Sequence, residues 1–258
     1  MLEFDADTTA LLEDAYQGAD FARRRRASFD VLDPVAGETI LDIGSGPGHL
    51  LLDIARAVGP KGRAIGVDPS APMRAAAQRM TEGRANIEMF EAVALDLPFD
   101  DGTIDKAVSV QVFEYLDDLP AALRESARAI RPGGRLVVSD MHFDTFAWSS
   151  DEPARMNRMM RAWDHHLVHK ALPADLPRLG RAAGFEVERI LPVTFVDHKM
   201  RPGGLAWMML TLMERYAIAN DLLPMAEAKA WAAEQSSRAA EGRFYFAITH
   251  IVTALRRI

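Results

Sequence analysis

Cysteine is absent from these 258 residues. That excludes a disulfide framework, a thiolate zinc site and a thiol nucleophile. Basic charge is scarce as well, since 30 Lys and Arg stand against 37 Asp and Glu for a net charge of −7. A chain without a basic footprint is not built to wrap nucleic acid, so a small-molecule partner is favoured over DNA or RNA. No apolar run reaches the roughly 20 residues of a membrane span, and the opening Met1-Leu2-Glu3-Phe4-Asp5 lacks the apolar stretch of a secretory leader. The expectation is a cytoplasmic protein with no membrane partner. Oligomeric state is left open, with a homodimer as one option. What the chain does have is apolar mass, 49% of its residues, enough for a substantial core in one α/β domain spanning 1–258.

The most informative stretch is Thr39-Ile40-Leu41-Asp42-Ile43-Gly44-Ser45-Gly46-Pro47-Gly48-His49. It reads as a short apolar strand, a glycine-rich turn, and a helix from Leu50 to Val58. The glycines let the backbone adopt positive φ and approach a ligand, and the helix N-terminus offers free N–H donors. Asp42 points a carboxylate into the same place. G-x-G-x-G is a weak signal by itself.

Taken in order, the spacing predicts a helix over 8–32 containing the run Arg23-Arg24-Arg25-Arg26, which reads first as a solvated face with salt bridges. Ala64 to Val67 is a second buried strand ending in Asp68-Pro69-Ser70. Asp68 lies where a doubly wound sheet places the acid that binds ribose hydroxyls; Ser70 is free to cap the helix Pro72 to Met80, and Met73 faces either an adenine ring or the core. Strands at Ile87–Val93, Ile104–Val110 and Leu136–Asp140 follow, with a helix at Leu119–Ile130 closed by Arg131-Pro132-Gly133-Gly134-Arg135. Strands alternating with helices predict an α/β fold, a doubly wound, mostly parallel sheet of seven strands with helices on both faces.

Leu41-Asp42-Ile43-Gly44-Ser45-Gly46-Pro47-Gly48, Asp68, Leu97-Pro98-Phe99, Asp105 with Ser109 to Tyr115, and Arg131 to Arg135 together resemble the ordered motifs of class I S-adenosylmethionine-dependent methyltransferases. The nearest branch is the ubiquinone/menaquinone-biosynthesis type that acts on small molecules. The resemblance covers residues 38–141, the cofactor-binding core. It implies S-adenosyl-L-methionine as cofactor. Asp42 with Gly44, Ser45, Gly46 and Gly48 would hold its methionine part, Asp68 and Pro69 the ribose, Met73, Val93 and Ala94 the adenine, and Gln111 the methionine side, with Tyr16 and one arginine of the run over its carboxylate. Where the family commonly has an acid or amide, this chain has Val93, so Asp96 or the backbone must meet the adenine amine. Tyr115 likewise replaces a frequent histidine. An NAD enzyme would instead need a G-x-G-x-x-G pyrophosphate loop.

Beyond Asp140 the resemblance to the shared core ends. A helix over 151–170 carries Met156, Met159, Met160 and Trp163 on one face and is ended by Leu172-Pro173; another helix spans Asp175 to Ala183, a sixth strand runs from Gly184 to about Val196, and two helices split near Leu223-Pro224. Segments 148–172 and 202–241 read as a helical lid, because the roughly 45-residue stretch before the last strand far exceeds an ordinary connection. The last strand, about 243–255, is expected to insert antiparallel between the fifth and sixth, as the resemblance implies. All four tryptophans and nine of thirteen methionines fall between Met141 and Trp231. They either line an apolar pocket or pack the lid on the body; Trp148, Met160, Trp163, His166 and Trp207 are the pocket candidates. His142, placed immediately past the fifth strand with Asp140 beside it, is the candidate general base. The pair His165 and His169 at i, i+4 lacks a third ligand, so no metal is expected. The function these features point to is methyl transfer to an O or N atom of a small apolar or aromatic metabolite. The alternative is a methyltransferase fold repurposed for a non-methylating reaction or a cofactor-binding regulator. Arsenite methylation is disfavoured by the lack of cysteine.

Overall fold

The computed structural model describes residues 18–258; Tyr16 and the first residues of the expected 8–32 helix lie outside that range. The first described helix, α1 (Ala19–Leu32), ends at Asp33 in a left-handed conformation, φ 52°. It is followed by β1 (Thr39–Ile43), α2 (His49–Val58), β2 (Arg63–Val67), α3 (Ala71–Met80), β3 (Ile87–Phe90) and β4 (Ile104–Val110). The second half contains α4 (Leu119–Ala129), β5 (Ile130–Trp148), α5 (Pro153–Asp164), α6 (Leu172–Ala182), β6 (Phe185–Asp197), α7 (Leu205–Ala219), α8 (Met225–Ala240) and β7 (Phe246–Arg257).

The strands form one seven-stranded sheet in the order β3-β2-β1-β4-β5-β7-β6, the doubly wound, mostly parallel arrangement expected from the sequence. β1 lies between β2 and β4 in parallel register, with Ile43 opposite both Val67 and Ser109, so the ends of three strands open at one edge. β7 runs antiparallel to both β5 and β6. The cause is chain direction: β6 exits at the carboxyl edge, α7 and α8 follow, and β7 must run back down the sheet.

Helices cover both faces. One core joins α1, α2, the methionine-rich helices α5 and α7, and α8 to the sheet through Leu32, Ile54, Val108, Met159, Met213 and Trp231. The other joins α4 and α6 through Leu123, Leu176 and Phe185. The outer edge of β6 is blunted against further pairing by Pro192 and by Arg23, whose Nη1 donates to the Thr194 carbonyl at 3.1 Å.

Several expected boundaries move. β5 does not stop at Asp140 but continues to Trp148, paired along β7 with an irregularity between His142 and Ala147. His142 therefore lies within the strand, opposite Thr249, and not past its end. The helix expected over 151–170 stops at Asp164, because the next turn is taken up elsewhere: the N–H groups of Val168 and His169 both donate to the Glu114 carbonyl, at 3.1 and 3.0 Å. Pro173 sits in the first turn of α6 instead of ending a helix, a position where its missing N–H costs nothing. β3 is shorter than expected and ends at Phe90.

Candidate functional site

The turn after β1 is shaped by its glycines. Gly44, Gly46 and Gly48 all have positive φ, 69°, 52° and 85°. A Cβ on Gly44 would meet Val112 Cγ2 at 2.3 Å, whereas nothing lies within 4 Å of one on Gly46. Gly44 is thus required by packing, and Gly46 leaves open space in front of the loop. That space belongs to an open cleft of about 510 Å³, lined among others by Arg24, Asp42, Gly44, Gly46, His49 and Val110.

Two acids stand at neighbouring strand ends beside the turn, and Asp42 lines the cleft. Asp42 is buried, and its Oδ2 has no hydrogen-bond partner. Burial, reinforced by the Asp68 charge, pushes its carboxyl up to about 8. Asp68 accepts from the Gly46 N–H at 3.0 Å and from the Ser70 N–H at 2.8 Å. Burial raises its pKa, and those two donors and Arg74 oppose the rise. Ser70 fills the cap of α3, its Oγ accepting from the Met73 N–H at 3.4 Å, so Asp68 is not needed there. Pro69 is exposed, and its carbonyl accepts from Arg74 Nη1 at 2.9 Å. Met73 is packed in the core, 4% exposed.

At the β3 side, Val93 and Asp96 form an isolated bridge, with Val93 exposed and Ala94 buried. At the β4 exit, Gln111 is held in the left-handed region at φ 54°, its N–H donating to the Ser139 carbonyl at 2.9 Å. A strained glutamine at a strand end beside a cleft is the kind of backbone feature that accompanies binding sites.

The arginine run divides its labour. Arg23 reaches β6, Arg25 pairs with Asp53 at 3.3 Å and Arg26 with Asp30 at 2.8 Å. Arg24 is 5% exposed and its guanidinium lies 4.9 Å from the Phe21 ring centre, with both side chains lining the cleft. The solvated-face reading fails for Arg24, which the helix turns inward.

Behind Arg24 lies a buried polar group. Glu114 and Asp140 are both fully buried. Burial pushes Glu114 up to about 7 and raises Asp140 further, with the Glu114 charge as the next cause at Asp140 and the Arg24 charge opposing both shifts. Ser28, Ser139 and His250 continue the network, with Oγ to Oγ 2.7 Å and Ser139 Oγ to His250 Nε2 2.6 Å. Glu114 stands within a quoted motif, but nothing in its spacing says that it is buried. His142 is half-buried, and its Nδ1 lacks a partner.

The tryptophans and methionines of the later helices mostly pack against one another. Trp231 is fully buried, with its Nε1 3.4 Å from Met156 Sδ, and Trp148 donates from Nε1 to Gln235 Oε1 at 2.9 Å within a cluster containing Phe146, Phe246 and Trp231. Met160 is partly buried and packs against this core. Trp207 is 38% exposed on α7. The Trp163 and His166 rings pack closely, centres 3.7 Å apart with their planes tilted by 40°. Among the described residues no group of three or more His, Asp or Glu is arranged to hold a metal, and no described helix is long and apolar enough to cross a membrane.

Residues 41–138 match the family model described as a methyltransferase domain. A methyltransferase domain therefore reaches from β1 into β5. The chain is 34% identical over 231 residues to an uncharacterized 37.1 kDa protein in transposon TN4556 of Streptomyces fradiae, covering 87% of this chain and 64% of that protein. It is 40% identical over 122 residues to demethylmenaquinone methyltransferase of Thermus thermophilus, covering 47% and 54%. It therefore spans between about half and two-thirds of these relatives' lengths. The YcgJ protein of Bacillus subtilis shares the fold, with a TM-score of 0.65 at 18% identity, over 92% of this chain and 98% of that one. S-adenosylmethionine, the cofactor that the motifs imply, fits the cleft: the unpartnered Asp42 oxygen suits its cationic amino-acid head, and the N-terminus of α2 behind the loop suits its carboxylate.

Proposed function

We propose that this methyltransferase binds S-adenosylmethionine in the Asp42–Gly48 cleft and directs its methyl group to an oxygen or nitrogen atom of a small apolar or aromatic metabolite. The observation that carries the reading is the orphaned, buried Asp42 carboxyl beside an open Gly46, whose N–H is held by Asp68. Asp42 holds the ammonium, Asp68 the ribose, and Val93, Ala94 and Asp96 edge the adenine. Gln111 and Arg24 close the methionine side.

The sulfonium supplies an already activated methyl group, so the protein's work is alignment and exclusion of water. The helices α5, α7 and α8 act as the lid, and Trp148, Met160 and Trp163 form its apolar floor towards the acceptor. His142 takes the acceptor proton where the nucleophile is a hydroxyl. Asp140, two residues earlier on the same strand face, is wholly buried and acts as a positioning group beneath it.

Titration calorimetry with S-adenosylmethionine and S-adenosylhomocysteine tests the cofactor claim; binding of NAD and of neither sulfur compound overturns it. Formation of S-adenosylhomocysteine with a panel of phenols and amines tests catalysis. Tight cofactor binding with no turnover on any acceptor favours a repurposed fold or a regulator. A rate unchanged across pH in His142→Ala removes that residue as the base.

A further inference from the structure

Trp163 and His166 place one buried hydrogen-bond donor and one buried acceptor side by side with nothing bonded to either. Trp163 is 4% exposed and its Nε1 has no partner; His166 is 2% exposed and its Nε2 has none. The His166 tautomer is fixed by geometry. Its Nδ1 bonds to the Trp163 carbonyl, and a carbonyl only accepts, so Nδ1 carries the hydrogen and Nε2 presents a lone pair. Burial also lowers the His166 pKa to about 4, which keeps the ring neutral near pH 7. A donor and an acceptor left empty in an apolar interior each carry a desolvation penalty of about 1–3 kcal/mol, and such groups in a native fold call for an explanation.

Their surroundings point to what fills them. The His166 ring is walled by Tyr115 at 5.9 Å, Phe143 at 6.1 Å and Tyr216 at 5.6 Å between ring centres, in addition to the Trp163 ring at 3.7 Å. The loop that carries it is tied to β5 and to the segment after β4. Phe143 N–H donates to the Lys170 carbonyl at 2.9 Å, Val168 and His169 N–H groups donate to the Glu114 carbonyl, and His169 Nε2 donates to the Leu116 carbonyl at 3.0 Å. The pair therefore stands beside the exit of β4 and the irregular middle of β5, next to the segment that begins at Gln111.

We infer that Trp163 Nε1–H and His166 Nε2 together hold an aromatic hydroxyl of the methyl acceptor. A phenolic O–H donates to Nε2 while its oxygen accepts from the indole N–H, so one group satisfies both. An arylamine gives the donor but is a poor acceptor, because its lone pair is delocalised into the ring. An aryl methyl ether accepts but has no hydrogen to give. The inference rests on the proposed function and narrows its substrate class to hydroxylated aromatics. Trp163 and His166 are specificity-determining residues in it.

The test is calorimetric binding of 2-naphthol, 2-naphthylamine and 2-methoxynaphthalene to the full chain saturated with S-adenosylhomocysteine. The expected result is 2-naphthol at least about tenfold tighter than the ether, the worth of one net hydrogen bond, with the amine in between. His166→Phe should bring 2-naphthol to within about threefold of the ether, because both then keep only the bond from the indole N–H. Trp163→Phe keeps the apolar wall and removes only the donor, so it should weaken naphthol and ether alike, each by about tenfold, and it tests the inference if His166→Phe does not fold. Equal affinity for naphthol and ether in the wild type, undiminished affinity for both in Trp163→Phe, or no binding of any of the three overturns the inference. Failure of the wild type to bind S-adenosylhomocysteine at all refutes the proposed function instead.

Discussion

The Gly46 N–H donates to Asp68 Oδ2 at 3.0 Å, joining the turn after β1 to the end of β2. One acid thereby fixes the loop and offers its remaining lone pairs to the cleft. Asp68→Ala should lower S-adenosylhomocysteine affinity by at least about tenfold and cost about 1–3 kcal/mol of stability for the loop donors left unpaired. Calorimetry and urea unfolding read the two effects separately. Undiminished affinity would remove Asp68 from the site.

Gly44 and Gly46 share positive φ but differ in what surrounds them. Gly44→Ala drives a methyl into Val112, with a Cβ contact at 2.3 Å, so overpacking adds about 1–3 kcal/mol to the roughly 1–2 kcal/mol of left-handed strain. Gly46→Ala meets no atom within 4 Å and should cost only the strain. The expected split is a marginal fold for the first and a folded protein with impaired cofactor binding for the second. Thermal melts and calorimetry decide.

Burial pushes the Asp42 carboxyl up to about 8 in the ligand-free fold, from an ordinary value of 3.8. The folded state therefore holds more protons than the unfolded chain between those values, and the Asp42 contribution to stability declines as pH rises from about 4 to about 8. Asp42→Asn should flatten that slope in urea unfolding followed over pH. A cationic ligand head favours the carboxylate, so cofactor binding at pH 7 should release a proton in the wild type and none in Asp42→Asn. Binding heats in buffers of different ionisation enthalpy measure it, and equal proton counts in the two proteins would refute the assignment.

Ser139 links α1 to β7 through Ser28 and His250. Ser139→Ala leaves His250 Nε2 buried and unsatisfied, for an expected loss of about 1–3 kcal/mol. In Ser28→Ala, Ser139 keeps its bond to His250 Nε2 at 2.6 Å, so the loss should be smaller there. Equal losses in the two variants would show that His250 does not depend on Ser139.

Where local rules govern, the sequence was readable. Asp42 to Gly48 announces a strand, a positive-φ turn and a helix through its own side chains, and Ser70 caps α3 as its position predicts. The strand alternation was enough to place seven strands in one sheet. It was not enough to end β5, because Met141 to Trp148 are held as a strand largely by pairing with β7, more than 90 residues away in the chain.

The sequence by itself determined the motif order, the glycine cradle and the two acids that face it, since each follows from backbone conformation and from positions at strand ends. Only the tertiary structure decided which arginine of Arg23 to Arg26 turns inward, because four consecutive residues on a helix point in four directions and the sheet selects one. Burial is likewise a property of the packed fold. It alone converts Glu114 and Asp140 into a high-pKa pair, turns most of the tryptophans and methionines into the core of the later helices, and leaves Trp163 and His166 as an empty donor and acceptor beside the exit of β4 and the middle of β5.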